Sequence, residues 1–279
     1  MDVLQVTGLC KEYPSFRLED VSFALPEGKI TGFIGRNGAG KTTTLKSLMG
    51  FVHPDAGNVS FFGVPWSGNE QQIKQRIGYV SGGVSYYPTK KLRAITAVTR
   101  SFYPTWDEAM YRACLERFQL DENKTPAQLS EGMKVKYALA LALSHKAELL
   151  ILDEPTSGLD PVSRDELLDI LLQLQREGVT ILFSTHITSD LEKCADDILY
   201  IHQGCILAHD GLKRFTEGYR AVSLTEEQHQ QVNQSLLIGD KQGKDGWRSI
   251  IRAEDEARLS VACHPADLET IMIHLEKEA

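Results

Sequence analysis

The sequence predicts an α/β fold: a doubly wound, mostly parallel sheet, with an N-terminal antiparallel β subdomain, a helical subdomain and a small C-terminal α+β appendage. Three observations predict it. A short β-branched and aromatic run at residues 29–34 leads into a glycine-rich loop and then into apolar residues at helical spacing. Two further apolar runs, at 149–152 and 179–183, are too short for helices and end in polar or charged residues, as buried parallel strands do. Stretches of helical periodicity alternate with these strands, the pattern of crossover connections.

The glycine-rich loop is Gly35-Arg36-Asn37-Gly38-Ala39-Gly40-Lys41-Thr42-Thr43. It fits G-x-x-x-x-G-K-[ST], a phosphate-binding loop, and it sits between a strand and a helix, where that loop must sit. The glycines let successive backbone N–H groups turn inward, and the helix N-terminus adds positive potential at the same point. Lys41 is placed to reach the β- and γ-phosphates and the Thr42 hydroxyl to ligate Mg²⁺. The sheet is therefore expected to be that of a phosphate-loop NTPase. Its nucleotide should rest on Gly35, Asn37, Gly38, Ala39, Gly40, Lys41, Thr42 and Thr43.

Taken in order, residues 3–7 and 21–25 predict antiparallel strands divided by Pro14. Tyr13 lies between them. An aromatic there can stack on a base, and a surface tyrosine beside a proline is also common, so both readings stand. Residues 43–49 predict a helix stopped by Gly50, and Pro54-Asp55-Ala56-Gly57-Asn58 a turn. Residues 77–80 predict a buried strand ending at Ser81-Gly82-Gly83. Between 84 and 128, aromatics and prolines (Tyr86-Tyr87-Pro88, Phe102-Tyr103-Pro104, Trp106) stand among helical stretches, of which 107–120 is the clearest. These aromatics fill the helical subdomain, about 84–145, or, where exposed, form a docking surface. Ser130 is well placed to cap a helix over 134–143.

The run at 149–154 ends in Asp153-Glu154, at the strand end where such sheets bind ligands. Two adjacent carboxylates there need a cation, and Asp153 as a Mg²⁺ partner accounts for them. Ser157-Gly158-Leu159-Asp160-Pro161 predicts a turn, 162–177 a helix closed by Gly178, and 179–184 another buried strand. His186 follows it on the same sheet edge as the phosphate loop, which draws it into the site. Strands near 198–201 and 205–208 complete the sheet. After Leu212 the pattern weakens. Strand candidates 236–238 and 247–252 flank Gly239-Asp240-Lys241-Gln242-Gly243-Lys244-Asp245-Gly246, which reads as a flexible loop. Residues 266–278 predict a helix with Leu268, Ile271, Met272 and Leu275 on one face. Glu254-Asp255-Glu256 reads as solvated surface, and His229, His264 and His274 show no ligand spacing. The division is thus 1–212, a nucleotide-binding domain, and 213–279, an accessory domain.

Composition narrows the class. A chain of 279 residues accommodates a domain of about 200 residues and an appendage. The net charge of −8 argues against a nucleic-acid partner. No run is long enough to span a membrane, and residues 1–5 lack the character of a signal peptide. The five cysteines (Cys10, Cys114, Cys194, Cys205, Cys263) are scattered and form no C-x-x-C, which predicts reduced thiols in a soluble, intracellular chain.

Taken together, these elements resemble the nucleotide-binding subunit of ABC (ATP-binding cassette) transporters over residues 2–212. The motifs fall in the family's order: the phosphate loop, Leu129-Ser130-Glu131-Gly132-Met133, Asp153-Glu154, Ser157-Gly158-Leu159-Asp160, then His186. The second is similar to the family signature, leucine-serine-glycine-glycine-glutamine. The resemblance implies that Tyr13 packs on adenine. It implies a head-to-tail dimer, with itself or with another ABC ATPase, enclosing two ATP molecules. Each ATP would touch the phosphate loop of one chain and Ser130 and Gly132 of the other. Glu154 would orient and deprotonate the attacking water, His186 would hold the γ-phosphate and water in line, and Asp160 would transmit closure across the interface. The products would be ADP and phosphate, in a Mg²⁺-dependent reaction. Integral membrane subunits are implied as partners, with this chain peripheral on the cytoplasmic face of the membrane and soluble when isolated. Tyr103-Pro104-Thr105-Trp106-Asp107-Glu108 and the short tail resemble bacterial exporters of peptides, antibiotics or lipids. The rival reading is a soluble ABC-type ATPase clamping ribosomes or nucleic acid. Such proteins usually carry two cassettes or a long coiled-coil insertion, and neither is visible here.

Two positions depart from the family. Glu131 and Met133 replace a glycine and the glutamine of the signature, while Ser130 and Gly132 are kept. Gly82 stands where the family usually has a glutamine that meets Mg²⁺ and water. The expected consequence is a slow ATPase with a mobile loop after Val80, unless Ser81 or Ser85 substitutes.

Overall fold

The computed structural model describes residues 1–81 and 87–278, and three sheets organise these described residues. Strands β1 (Asp2–Tyr13) and β2 (Phe16–Pro26) form a long hairpin turning at Pro14-Ser15. Both outrun the predicted 3–7 and 21–25, because register shifts between Val6 and Lys11 absorb the breaks in alternation. The wholly buried β3 (Ile30–Ile34) enters the phosphate loop, and α1 (Lys41–Leu48) leaves it. Next come β4 (Ala56–Phe61), β5 (Val64–Pro65), α2 (Glu70–Lys74) and β6 (Ile77–Ser81). The first sheet has the order β2-β1-β4-β5.

Three helices follow: α3 (Leu92–Arg100), α4 (Glu108–Arg117) and α5 (Glu131–Ser144). The Thr96 hydroxyl of α3 meets the Tyr111 and Tyr137 hydroxyls of α4 and α5, each at 2.8 Å. These buried aromatics belong to the helices' own core. Helix α4 is shorter than the predicted 107–120: Asp107 caps it by accepting the Met110 N–H, and Gln119, at φ 52°, lies beyond its end. Helix α5 starts earlier than 134, because Ser130 caps it by accepting the Met133 N–H.

The central sheet is built from β7 (Leu149–Asp153), α6 (Pro161–Arg176), β8 (Thr180–Thr185), α7 (Thr188–Cys194), β9 (Asp197–His202) and β10 (Cys205–Gly211). Its order is β10-β9-β3-β8-β7-β6, parallel except for the antiparallel edge strand β10. One face carries Phe33, Ile151 and Leu182 against Leu9, Leu18 and Phe23 of the first sheet. The other carries Ile34, Leu152 and Phe183 against Leu139, Leu171 and Leu191 of the helices. A sheet buried on both faces explains the continuous apolar runs. Strand order matters more than packing for function: β8 lies between β3 and β7, so the three segments that leave their C-terminal ends emerge side by side.

The C-terminal region contains α8 (Leu212–Glu217), β11 (Tyr219–Leu224), α9 (Glu226–Gln231), β12 (Ile238–Gly243), β13 (Gly246–Arg252), β14 (Cys263–Pro265) and α10 (Leu268–Glu278). The third sheet has the order β12-β13-β11-β14, antiparallel throughout. Here one expectation is corrected. The stretch read as a flexible loop, 239–246, is largely a hairpin in which Gly243 pairs with Gly246 and Lys244-Asp245 alone make the turn. Leu236, expected to begin a strand, ends a 3₁₀ turn. As an edge strand, β12 is polar, so it shows no buried-strand signal. Helix α10 docks the sheet onto the large one: Glu276 accepts the Tyr200 hydroxyl at 2.9 Å and lies 3.0 Å from His202 Nδ1 on β9.

No helix among the described residues is long and apolar enough to cross a membrane. The five cysteines are free. One buried carboxylate fixes the segment that follows Glu154. Asp190 of α7 is fully buried, pairs with the Arg164 guanidinium of α6, and accepts the Thr156 hydroxyl at 2.7 Å. Arg164→Ala strands that charge in the interior and should lower stability by about 3–5 kcal/mol, with a smaller loss once Asp190→Asn is added. Urea unfolding midpoints of the two variants measure the difference. Equal losses would mean that the pair contributes nothing beyond its packing.

Candidate active site

The segments leaving β3, β7 and β8 meet around a cleft of about 450 Å³. The phosphate loop forms one side. A Cβ at Gly35 would come within 2.3 Å of the Ile201 carbonyl oxygen, and Gly40 has φ 115°, so both positions require glycine. Lys41 is almost completely buried. Its ammonium donates to the carbonyls of Gly35 (2.6 Å) and Arg36 (3.2 Å) and lies 3.3 Å from Glu154 Oε1.

Behind the loop, Asp153 is also buried, and two hydroxyls donate to its Oδ1: Thr42 at 3.1 Å and Ser184 at 2.7 Å. Ser184 in turn accepts the Glu154 N–H at 3.0 Å. Glu154 has φ 51°, a left-handed conformation unusual outside glycine and a recurrent mark of functional positions. That turn directs its side chain away from the sheet, where Oε2 lies 2.8 Å from His186 Nδ1. Lys41, Glu154 and His186 thus form one continuous chain of contacts along the cleft. Nearby on β6, burial first and the Asp153 charge second push the Tyr79 phenol up to about 12.

A carboxylate and a hydroxyl in contact form a hard oxygen donor set. Among the described residues no cluster of three or more His, Cys, Asp or Glu is arranged to hold a metal by itself. Thr42 and Asp153 are of the kind that could hold Mg²⁺.

The other residues singled out in the sequence lie elsewhere. Tyr13 is 38% exposed and does not line the cleft; Phe16, its partner across the hairpin, does. Ser130 is exposed at the start of α5, off the cleft. Gly132 lies against α6, where an added Cβ would come 3.3 Å from Ser163 Cβ. Asp160 caps α6 by accepting the Val162 and Ser163 N–H groups. The Ser163 hydroxyl first, then those N–H groups, hold its carboxyl below the usual range. Glu131 is drawn along its helix to Lys134 at 2.6 Å. Ser81 pairs in register with Asp153, while Gly82 and Ser85 lie outside the described residues.

Two residues that shape the site were not singled out in the sequence, Ser184 buried behind the cleft and Phe16 lining it. Ser184 left a signal, a polar residue closing an apolar run two places before His186. Phe16 left none, because its role comes only from the hairpin register.

A sequence model of the family described as "ABC transporter" matches residues 18–157. The bacitracin transport ATP-binding protein BcrA of Bacillus licheniformis is 34% identical over 81% of this chain and 76% of its own length. The linearmycin resistance ATP-binding protein LnrL of Bacillus subtilis is 35% identical, over 74% and 68%. The Nod factor export ATP-binding protein I of Burkholderia orbicola is 38% identical, over 66% and 62%. Among solved structures, an ATP-binding subunit of an ABC transporter aligns at TM-score 0.69 and 30% identity, covering 76% of this chain and 91% of its own. A dimeric ATP-binding cassette bound to ADP and phosphate shares the fold at TM-score 0.66 and 21% identity, over 75% and 98%.

Ser184 offers a direct check of this geometry. Ser184→Ala removes a donor to a buried carboxylate and an acceptor for the Glu154 N–H. The loss should be about 1–3 kcal/mol of stability. A denaturation midpoint equal to that of the wild type would show that these bonds are replaced without cost.

Proposed function

The chain belongs to the ABC transporter family as an ATP-binding, ATP-hydrolysing subunit, and from that premise we propose that it works as a head-to-tail pair, with itself or a related ATPase, driving export through separate membrane subunits. The observation that supports this reading is that the phosphate loop and the capped start of α5 lie apart on one chain. Lys41 and the phosphate loop line the cleft, whereas the N-terminus of the 14-residue α5, with Ser130 and Gly132, does not. A helix start of that kind attracts anions. Placed over a partner's γ-phosphate, it completes the partner's site. Ser130 and Asp160 are both exposed, and Val162, two residues after Asp160, is 67% exposed, as an interface surface would be.

In the proposed cycle the ATP phosphates take the loop N–H groups, and the Lys41 ammonium exchanges carbonyl oxygens for phosphate oxygens. Tyr13, at the family's adenine position, and Phe16 offer the base an aromatic surface. Glu154 takes a proton from water as the water oxygen bonds to the γ-phosphorus. The bond to the β–γ bridging oxygen breaks, and ADP leaves with that electron pair. His186 holds Glu154 through Nδ1 and keeps the water and γ-phosphate in line. Thr42, and Asp153 through water, would hold Mg²⁺, which would supply neutralising charge. Asp160 carries closure across the dimer interface.

Residues 1–212 are read as the catalytic domain, with a helical subdomain at about 84–145, and 213–279 as an accessory domain with its own sheet. Docking to the membrane subunits falls to a band where Phe51 and Phe102 are 60% and 68% exposed. Lys74 lies over the Phe51 ring, and Gln75, next in the chain, donates to the Phe102 carbonyl. The chain then works at the cytoplasmic face of the membrane. Relatives named for bacitracin transport, linearmycin resistance and Nod factor export support an exporter over a nucleic-acid clamp.

Glu154→Gln should keep ATP binding, lose turnover by about 10²-fold or more, and accumulate the closed dimer on ATP. Steady-state phosphate release and sedimentation with ATP test this; wild-type turnover would remove Glu154 as the base. Lys41→Ala should weaken ATP binding to the monomer, and Ser130→Ala should leave it intact while impairing dimer closure. Equal losses of monomer affinity would contradict a site shared between chains.

A further inference from the structure

A second concave site lies outside the nucleotide cleft, between the third sheet and α10. Its volume is about 480 Å³, within the range of small-molecule sites, and its lining includes Ser223, Lys241, Lys244, Arg248, Thr270 and His274. The charges follow from strand register. Lys241 on β12 stands directly opposite Arg248 on β13, and Arg248 stands opposite Ser223 on β11. Two cations and a hydroxyl therefore form one row across three strands, with Lys244 in the adjoining turn.

Like charges placed directly opposite each other destabilise a strand pair. Among the described residues none of these three cations has a carboxylate within salt-bridge distance. The neighbouring acids are engaged elsewhere: Asp240 with His229, Glu276 with Tyr200 and His202, and Glu278 with the Gly239 N–H. Among the described residues, Asp245 is the one carboxylate in the lining. The ring of His274 is buried in the wall and fixed by its Nδ1–H, which donates to the Gly239 carbonyl at 2.6 Å. In a chain of net charge −8, this is a concentration of unpaired positive charge in a preformed hollow.

We propose that this cleft binds a phosphate-bearing anion, with Arg248 and Lys241 gripping the phosphate, Lys244 closing over it and the Ser223 hydroxyl donating to it. A guanidinium suits phosphate because its planar fork of donors pairs with two oxygens at once. The ligand is a free phosphorylated small molecule or the headgroup of a lipid; the chemistry at the protein is the same. This site is independent of the transport reading.

Calorimetric titration of the full chain with pyrophosphate should show two sites, one at the phosphate loop and one here. Lys41→Ala should silence the first and leave the second. In that background, Lys241→Gln with Arg248→Gln should weaken the remaining site by about tenfold or more, and salt should weaken it too. Flotation with phosphatidylglycerol vesicles, against phosphatidylcholine vesicles, distinguishes the sources. Binding of pyrophosphate supports a free ligand, and binding of the anionic vesicles alone supports a lipid headgroup. Both substituted side chains are exposed and their mutual repulsion is removed, so the thermal midpoint of Lys241→Gln/Arg248→Gln in the otherwise native chain should not fall below the wild type and its ATPase rate should match it. Failure of the Lys41→Ala chain to bind either probe would overturn the proposal. Binding of both probes undiminished by the Lys241 and Arg248 changes would overturn it equally, as would capture of acidic peptides but of neither phosphate probe.

Discussion

The buried carboxylate of Asp153 is the constraint on which the nucleotide site depends. An ionised group in the interior is tolerated only with donors around it, and here Thr42 and Ser184 donate to a single oxygen. Thr42 belongs to the helix leaving the phosphate loop, and Ser184 to the strand between that loop and Asp153. One carboxylate thereby ties three neighbouring segments together. The strand order makes this possible: with β8 seated between β3 and β7, Asp153 pairs with Ser184 in register, and Ile34 with Thr185. In another order the same residues would end too far apart to share a proton or a phosphate.

Immediately after this rigid point the backbone reverses. Glu154 takes a left-handed conformation although it is not glycine, and strain of that kind persists only where surrounding bonds impose it. Its N–H is held by the Ser184 hydroxyl, and its two carboxylate oxygens by Lys41 and His186. Downstream, Thr156 is anchored to the buried Asp190, so the turn is fixed at both ends. Adjacent residues of one sequence thus face opposite environments. Asp153 faces the interior and its hydroxyl donors, and Glu154 faces the open cleft.

Much of this was legible in the sequence because it rests on local pattern. The phosphate loop announced itself by spacing, the buried strands by uninterrupted apolar runs, and the carboxylate pair by its place at a strand end. What stayed hidden depends on pairing between distant segments. Phe16 reaches the cleft because the hairpin places it across from Tyr13. The β12–β13 hairpin was missed for a different reason. An edge strand needs no apolar face of its own, so Asp240-Lys241-Gln242 carries no β signal, and Lys244-Asp245 is not a turn pair that composition marks strongly. The helix over 266–278 was visible, since Leu268, Ile271 and Met272 recur at helical spacing. Its destination on β9 was not.

That destination changes how the C-terminal region should be regarded. Glu276 is only 10% exposed and sits between the Tyr200 hydroxyl and His202, with the Arg36 guanidinium of the phosphate loop 3.8 Å away. A carboxylate so enclosed is worth little as an isolated attraction, yet removing its partners would leave it stranded, so the contact strongly fixes where α10 can lie. β9 is the direct neighbour of β3, whose end is the phosphate loop, and a Cβ at Gly35 would strike the Ile201 carbonyl oxygen of β9. Any displacement of β9 is therefore felt at the first glycine of the loop. Among the described residues, the third sheet reaches the nucleotide site through α10, by its Glu276 contacts with β9 and with Arg36 of the phosphate loop.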